Sequence, residues 1–235
     1  MTHLFRYIAF VRLAAIAGLL MQFSTSVFGA EDNRVDVWIG TGSASPSKGI
    51  YHSHLNTDTG KLSDPQLVAE VRGPGFLAMH PSGSHLYAVG SIDGKGAVIC
   101  YSILREGKNV SLALVNSVEI GDGGGTHVSV ESTGRLLITA QYGGGSVGVF
   151  ALNSDGSIKR RNQLIEHAGG SKVVDRRQDS PHPHWTGFSP DEKYAFVPDL
   201  GLDQVVIYKV DADKARLESH GIASTPPGGG PRHMK

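Results

Sequence analysis

Cysteine is almost absent from this sequence, since Cys100 is the single cysteine among 235 residues. A disulfide bond within the chain is therefore excluded. Cys100 lies in the segment AVICYSI, a strand-like stretch that is mainly apolar. That setting predicts a half-buried structural thiol rather than a nucleophile.

Net charge is also lacking, because 22 basic residues are balanced by 22 acidic residues that are interspersed with them. Nucleic-acid-binding proteins usually carry a basic patch or stripe. We therefore exclude nucleic acid as the main partner. Long helical hydrophobic patterns are missing as well, which favours an all-β fold.

What the sequence does contain is an internal repeat. The segments FLAMHPSGSHLYAV from Phe76, HVSVESTGRLLITA from His127 and WTGFSPDEKYAFVP from Trp185 share one pattern. Each segment has an apolar strand, a turn of Ser, Pro, Gly or Asp residues, and a second apolar strand. This pattern predicts three β-hairpins.

A second pair of strands follows each hairpin, so the repeating unit has four strands, as in a blade of a β-propeller. Equivalent positions fall at Leu55, Ile103, Leu152 and Val210, at intervals of 48, 49 and 58 residues. The first two intervals suit a propeller blade. The sequence predicts an all-β propeller with about four four-stranded blades and the start of a fifth.

The third interval is longer because of a polar insertion, EHAGGSKVVDRRQDSPHPH, just before the inner strand of the next unit. Insertions in repeat proteins form loops on one face, which is often the binding face. We therefore look for a site near this segment.

The N-terminal segment has the features of a secretory signal peptide. Arg6 and Arg12 lie in a basic start, LAAIAGLLMQF is apolar, and small residues precede Glu31. We expect residues 1–29 to be removed and residues 30–235 to form the partial propeller. The mature protein would then be periplasmic or extracellular, with no membrane attachment. An uncleaved signal anchor is the alternative.

The repeat alignment predicts a site at the mouth of the central channel. Gly75, Thr126, His184 and Arg232 occupy equivalent positions where the chain enters the innermost strand. Inner strands line the channel of a propeller, so these residues should form a ring. His184 and Arg232 would be neighbours from adjacent units.

The next position of each unit holds Phe76, His127, Trp185 or His233. Strand alternation directs these side chains to the opposite side, towards the packing between blades. His127 and His233 are therefore either substrate-binding residues, if a bulge turns them inward, or structural histidines that form hydrogen bonds between blades.

The segment PHPH contributes His182 and His184, which should point to the same side of an extended and stiffened chain. The pair can contact a substrate carbonyl or phosphate, hold a metal, or belong to a structural loop. We assign no metal and no cofactor, because no closing Cys or carboxylate ligand is evident.

Two connections near this segment supply further candidates. Asp199 follows the second strand of the same hairpin as His184, and Tyr142 occupies the corresponding connection of the preceding unit. We expect both to bind substrate. Asp203 is expected to be structural, because Asp residues in such connections commonly bind backbone amides.

The chain resembles the lactonase-type seven-bladed β-propellers, which include the propeller form of 6-phosphogluconolactonase. The resemblance covers roughly residues 35–235 and depends mainly on the motif at 180–210, on GGGPRHMK at 228–235 and on residues 125–150. It implies seven blades, or about 340 residues at ~50 per blade. We therefore expect a truncated propeller that is poorly stable and weakly active.

The resemblance also implies hydrolysis of a sugar lactone such as 6-phosphogluconolactone. Ring opening needs a base that activates water and a cation or donor that stabilises the oxyanion. His184 or His182 would be the base and Arg232 the cation. Asp199, His127, His233 and Tyr142 would hold the substrate.

A second function class stays open, in which an exported propeller serves as a ligand- or protein-binding platform without catalysis. The signal peptide favours it, because 6-phosphogluconolactone is made in the cytosol. An exported lactonase for unphosphorylated sugar lactones would reconcile the two observations.

Overall fold

The computed structural model describes residues 33–43, 46–107 and 109–235. The predicted signal peptide at 1–29 lies outside these residues. Within them every regular element is a β-strand, and none forms a helix that is long and apolar enough to cross a membrane. The predicted all-β class is confirmed.

The first sheet has three antiparallel strands, β1 (Arg34–Ile39), β2 (Gly49–Asn56) and β3 (Gln66–Glu70). The second sheet has four, β4 (Arg72–Met79), β5 (His85–Ile92), β6 (Lys95–Glu106) and β7 (Asn109–Glu119).

The third and fourth sheets repeat the four-stranded order. The third contains β8 (His127–Val130), β9 (Leu136–Gln141), β10 (Ser146–Leu152) and β11 (Ile158–Glu166). The fourth contains β12 (Gly187–Phe188), β13 (Tyr194–Asp199), β14 (Gln204–Asp211) and β15 (Arg216–Ser224).

Three of the four predicted blades thus have all four strands, whereas the first sheet has three among the described residues. The expected start of a fifth unit, residues 225–235, follows β15 without forming a strand. Arg232 therefore lies in an irregular segment.

Backbone hydrogen bonds confirm the repeat phase. The amides of Ile103, Leu152 and Val210 each donate to the carbonyl of the residue that precedes the second strand of their own sheet, at 2.9, 2.9 and 3.0 Å. The three positions that align in the sequence are therefore equivalent in the structure.

Apolar side chains fill the three spaces between successive sheets. Burial of these residues is the main favourable contribution to the packing of such an array. The first interface contains Ile50, Leu86 and Ile99; the second contains Tyr87, Leu137 and Phe150; the third contains Ile138, Val197 and Tyr208.

The three hairpin turns place one residue each in the left-handed region, with φ values of 72° at Gly83, 71° at Gly134 and 55° at Glu192. Glycine adopts this conformation without steric cost, whereas glutamate does not. Glu192 compensates with its carboxylate, which accepts hydrogen bonds from the Ser132 amide at 2.9 Å and the Ser132 hydroxyl at 2.7 Å. This contact joins the turns of the third and fourth sheets.

The innermost strand of the fourth sheet is very short, and the chain before it is irregular. The segment around Pro183 nevertheless runs alongside the end of β13, since Pro183 forms an isolated bridge with Asp199. The Trp185 ring folds over Gly187, where an added Cβ would lie 1.9 Å from the ring. Regular strand alternation therefore does not apply to residues 182–186.

Candidate functional site

Five side chains form a contiguous cluster where the inserted segment meets the end of the chain. The Tyr142 ring stacks on His182, with centroids 4.4 Å apart, and its centroid lies 5.7 Å from that of the nearly perpendicular His184 ring. The Arg232 guanidinium carbon lies 5.8 Å from the Tyr142 centroid, and the His233 ring lies 5.0 Å from that of His184. The structure thus brings His184 and Arg232 together.

Both ring nitrogens of His184 are engaged. Arg232 donates a hydrogen bond to Nε2, and because arginine has no acceptor, Nε2 must carry a lone pair. In neutral His184 the proton then lies on Nδ1, which donates to Nε2 of His233 at 3.1 Å. The hydrogen bond from Arg232 therefore sets the tautomer of neutral His184, with the proton on Nδ1, and that of neutral His233, whose Nε2 accepts this proton's hydrogen bond.

His184 is held in the neutral form. Burial, the positive charge of Arg232 and the neighbouring His233 lower its pKa to about 4. Each of these effects disfavours a second positive charge at the same place. At neutral pH His184 is therefore an acceptor that holds Arg232, not a cation.

His182 presents a different nitrogen. Its Nδ1 lies 2.7 Å from the carbonyl oxygen of Tyr142, so Nδ1 carries a proton. In neutral His182 the lone pair is therefore on Nε2, whose neighbour is the exposed Ser180 hydroxyl at 3.5 Å. Of the predicted pair, His182 therefore offers the acceptor nitrogen that Arg232 does not occupy.

Asp199 requires a correction, because its side chain is fully buried and cannot contact a substrate directly. Its Oδ1 accepts hydrogen bonds from the backbone amides of His182 at 2.7 Å, Gly201 at 3.0 Å and Leu202 at 3.2 Å. Asp199 therefore positions the main chain at His182. Asp199 thus lies next to the site as expected, but it holds the main chain and does not bind substrate.

A buried histidine that sequence reasoning missed completes this arrangement. His167 Nδ1 lies 2.7 Å from Oδ2 of Asp199, and its Nε2 lies 2.7 Å from the Tyr208 hydroxyl. The three side chains form a chain of hydrogen bonds that leads from β14 to the His182 amide. His167 is the first residue after β11, at the start of the polar insertion. This position was the one feature of the sequence that could have indicated a role at the site.

Asp203 holds the segment that carries Arg232. Its carboxylate accepts hydrogen bonds from the amides of Gly228 at 2.7 Å and Gly230 at 2.8 Å. It also accepts one from the side-chain amide of buried Gln178 at 2.6 Å. The structural role expected for Asp203 is thus observed, and Gln178 is a second positioning residue that the sequence did not reveal.

Of the two roles left open for His127, the structure matches the structural one and not substrate binding, because His127 is only 5% exposed and packs against Phe76 with ring centroids 3.9 Å apart. Its Nδ1 accepts a hydrogen bond from the Thr186 amide at 3.3 Å. Burial, aided by His233 and His184, lowers the pKa of His127 to about 3. This residue links the third and fourth sheets and offers little surface to a substrate.

His233 contradicts the alternation argument, which placed it on the opposite side from His184. The two rings form a hydrogen bond instead. The physical reason is that neither residue lies in a regular strand, so the period-two rule has no basis there.

Residues 144–148 match the motif Gly-x-Ser-x-Gly, which is typical of serine hydrolases, but Ser146 of this motif is not a nucleophile. Ser146 is fully buried on β10, and its hydroxyl donates to Oε1 of Gln141 at 3.3 Å. The motif also lacks the strand-turn-helix context that exposes such a serine.

A small cavity of about 140 Å³ adjoins the cluster. Its lining includes Arg177 of the insertion, Arg232 and the backbone of Gly228–Gly230. Two guanidinium groups at one cavity favour an anionic ligand, because arginine binds carboxylates and phosphates through paired donors.

The depressed pKa of His184 gives a direct prediction. In an NMR titration His184 should titrate near pH 4, and Arg232→Gln should raise its pKa because one repulsive charge is removed. The unfolded chain binds this proton at a higher pH, so the free energy of unfolding should fall as pH drops from about 6.5 to about 4. Arg160→Gln, an exposed change on β11, is the control. A wild-type midpoint near 6.5 would contradict the assignment.

The role of Asp199 gives a second prediction. Asp199→Asn removes one acceptor and introduces a donor among groups that already donate, so unfolding free energy should fall by about 1–3 kcal/mol. The amide resonance of His182 should shift as well. The exposed Asp213→Asn is the matched control and should change stability by less than about 0.5 kcal/mol. Equal urea midpoints for the two variants would rule out the positioning role.

Comparisons with known proteins agree with the fold. A family model described as a lactonase with a seven-bladed β-propeller matches residues 36–235. The solved structure of a periplasmic gluconolactonase from Pseudomonas aeruginosa has a TM-score of 0.76 and 31% identity, covering 84% of this chain and 57% of that one.

Two curated relatives carry a common name. The 6-phosphogluconolactonase of Bacillus subtilis is 35% identical over 198 residues, which are 84% of this chain and 55% of the relative. The 6-phosphogluconolactonase of Formosa agariphila is 28% identical over 194 residues, 80% of this chain and 54% of the relative. The chain thus spans just over half the length of these relatives. With its repeated antiparallel sheets and the family match over residues 36–235, the chain belongs to the seven-bladed β-propeller lactonase family.

Proposed function

We propose that the protein hydrolyses a sugar lactone. The observation that carries this proposal is the juxtaposition, around Tyr142, of the His182 imidazole, whose Nε2 carries the lone pair, and the Arg232 guanidinium. Relatives named 6-phosphogluconolactonase and gluconolactonase support the same reaction class.

The reaction needs one proton acceptor and one stabiliser of negative charge. Nε2 of His182 takes a proton from water as the water oxygen attacks the lactone carbonyl carbon. Arg232 stabilises the resulting oxyanion. The bond from the carbonyl carbon to the ring oxygen then breaks, and the His182 imidazolium returns its proton to that oxygen. The product is the open-chain sugar acid.

His184 and His233 support Arg232 in this scheme. Neutral His184 accepts a hydrogen bond from the guanidinium, which limits the orientations that Arg232 can take. Because the pKa of His184 is about 4, it adds no positive charge that would repel Arg232. His184 is thus a positioning residue, and His182 is the base of the two candidates.

The substrate class is an aldonolactone, with 6-phosphogluconolactone as one candidate. Arg177 and Arg232 at the adjoining cavity would bind a phosphate or the carboxylate of the product. A preference for the phosphorylated substrate should then depend on Arg177. The second candidate function, a binding platform without turnover, would use the same cationic cavity.

Mutation of His182 tests the proposed reaction. His182→Gln should lower kcat by about 10²–10⁴-fold, the usual contribution of a positioned base. Arg232→Lys should also lower kcat/KM, because a single point charge cannot reproduce the guanidinium fork. The assay measures hydrolysis of gluconolactone and of its 6-phosphate above the spontaneous rate.

The exposed Arg160→Gln is the control for this assay and should leave both rates unchanged. If His182→Gln is as fast as the wild type, His182 is not the base. If neither substrate is turned over but gluconate shifts the His184 resonances, the binding-platform function replaces the lactonase.

We also propose that the protein is exported. The basic, apolar and small-residue regions before Glu31 support this, as does the similarity to a periplasmic gluconolactonase. An exported enzyme would meet unphosphorylated lactones, which makes gluconolactone the substrate to test first.

Export predicts that residues 1–29 are absent from the mature protein, because a signal peptidase cleaves after small residues. Mass spectrometry of the secreted or periplasmic fraction should detect an N-terminus at Ala30. Detection of intact Met1 in the membrane fraction would indicate an uncleaved anchor instead.

A further inference from the structure

A second cluster of chemically capable side chains lies in the first sheet, separate from the His182 site. His52 and His54 are two residues apart on β2 and therefore project from the same face. Asp36 of β1 is the direct cross-strand partner of His54. The neighbouring strands β1 and β2 thus place two imidazoles and one carboxylate next to one another.

The distances within this cluster suit a metal ion. The three ligand atoms all lie within 4.8 Å of one another. Oδ1 of Asp36 is 2.9 Å from Nε2 of His52 and 3.3 Å from Nδ1 of His54. Ligands of a tetrahedral Zn²⁺, bound at about 2.0–2.1 Å, are themselves about 3.3 Å apart. Only small side-chain movements are needed to admit an ion.

Two further observations point to a ligand. Nδ1 of His54 is shielded from solvent and forms no hydrogen bond, which is costly for a polar atom. A cavity of about 310 Å³ opens beside the cluster and is lined by His52, His54, Ser63 and Gln66. The cavity provides an entry path and room for water on the remaining coordination positions.

The carboxylate is oriented by a strand of the neighbouring sheet. Arg105 of β6 pairs with Oδ2 at 2.5 Å, which leaves Oδ1 facing the two imidazoles. Such outer contacts orient metal ligands, while the guanidinium charge moderates the affinity for a cation.

We propose that Asp36, His52 and His54 form a binding site for a divalent transition metal such as Zn²⁺. Two imidazoles and a carboxylate match the ligand preferences of Zn²⁺ and of neighbouring first-row metals. The three ligands leave coordination positions open towards the cavity. The proposal does not depend on the lactonase reaction, since no residue of the His182 site takes part.

Metal titration of the intact protein tests this site. Zn²⁺ binding is measured by calorimetry, and Co²⁺ binding by its visible absorption and by quenching of Trp38, whose ring lies 4.7 Å from His52. His54→Gln should weaken Zn²⁺ binding by about 10-fold or more, because a first ligand is lost. His54 is 24% exposed, so the substitution should be tolerated.

Two further variants complete the experiment. Asp36→Asn should weaken binding as His54→Gln does, and circular dichroism verifies that both variants fold. His184→Gln alters the other histidine cluster and should leave Zn²⁺ binding unchanged. Absence of binding in the wild type, or equal affinity in wild type and His54→Gln, would overturn the proposal. A loss of binding confined to His184→Gln would do the same.

Discussion

The candidate site depends on two carboxylates that flank one turn. Asp199 ends β13 and accepts a hydrogen bond from the main chain of His182, and Asp203 precedes β14 and accepts hydrogen bonds from the main chain at Gly228 and Gly230. The two segments that carry the reactive groups are irregular, so neither has a strand ladder to hold it. Carboxylate oxygens that accept several hydrogen bonds from backbone amides hold these segments in place of that ladder.

Burial keeps two histidines of this region, His184 and His127, in the neutral form. His184 and His127 lie among other cationic or basic groups, and both have pKa values far below the ordinary range. Neutral imidazoles can accept hydrogen bonds, which a charged imidazolium cannot. The positive charge of Arg232 is therefore not joined by a second one on His184, which stays available as an acceptor that orients the guanidinium.

Much of the fold could be predicted from the sequence, because hairpins that repeat at a constant interval leave a period-two pattern and turn residues at fixed places. The site was less accessible to such reasoning. The alignment of the repeats correctly predicted that His184 and Arg232 are neighbours, because the repeat spacing is kept even where the local backbone is irregular. Alternation correctly directed His127 of β8 towards the packing between sheets. The contact between His233 and His184 was not predictable, because neither residue lies in a regular strand. Gln178 and His167 belong to the insertion, for which the other repeats offer no template.

The division of the site between two sheets has a thermodynamic consequence. Tyr142 follows β9 of the third sheet, whereas His182 and Arg232 are held by the turn of the fourth. In repeat arrays the free energy of unfolding is a sum of contributions from the units and from the interfaces between them. A ligand that contacts the third and the fourth sheet therefore increases the contribution of the interface between these two sheets. Occupancy of the site would then couple the unfolding of the third and fourth sheets more tightly, while the junction between the first two sheets would respond to a different ligand or to none.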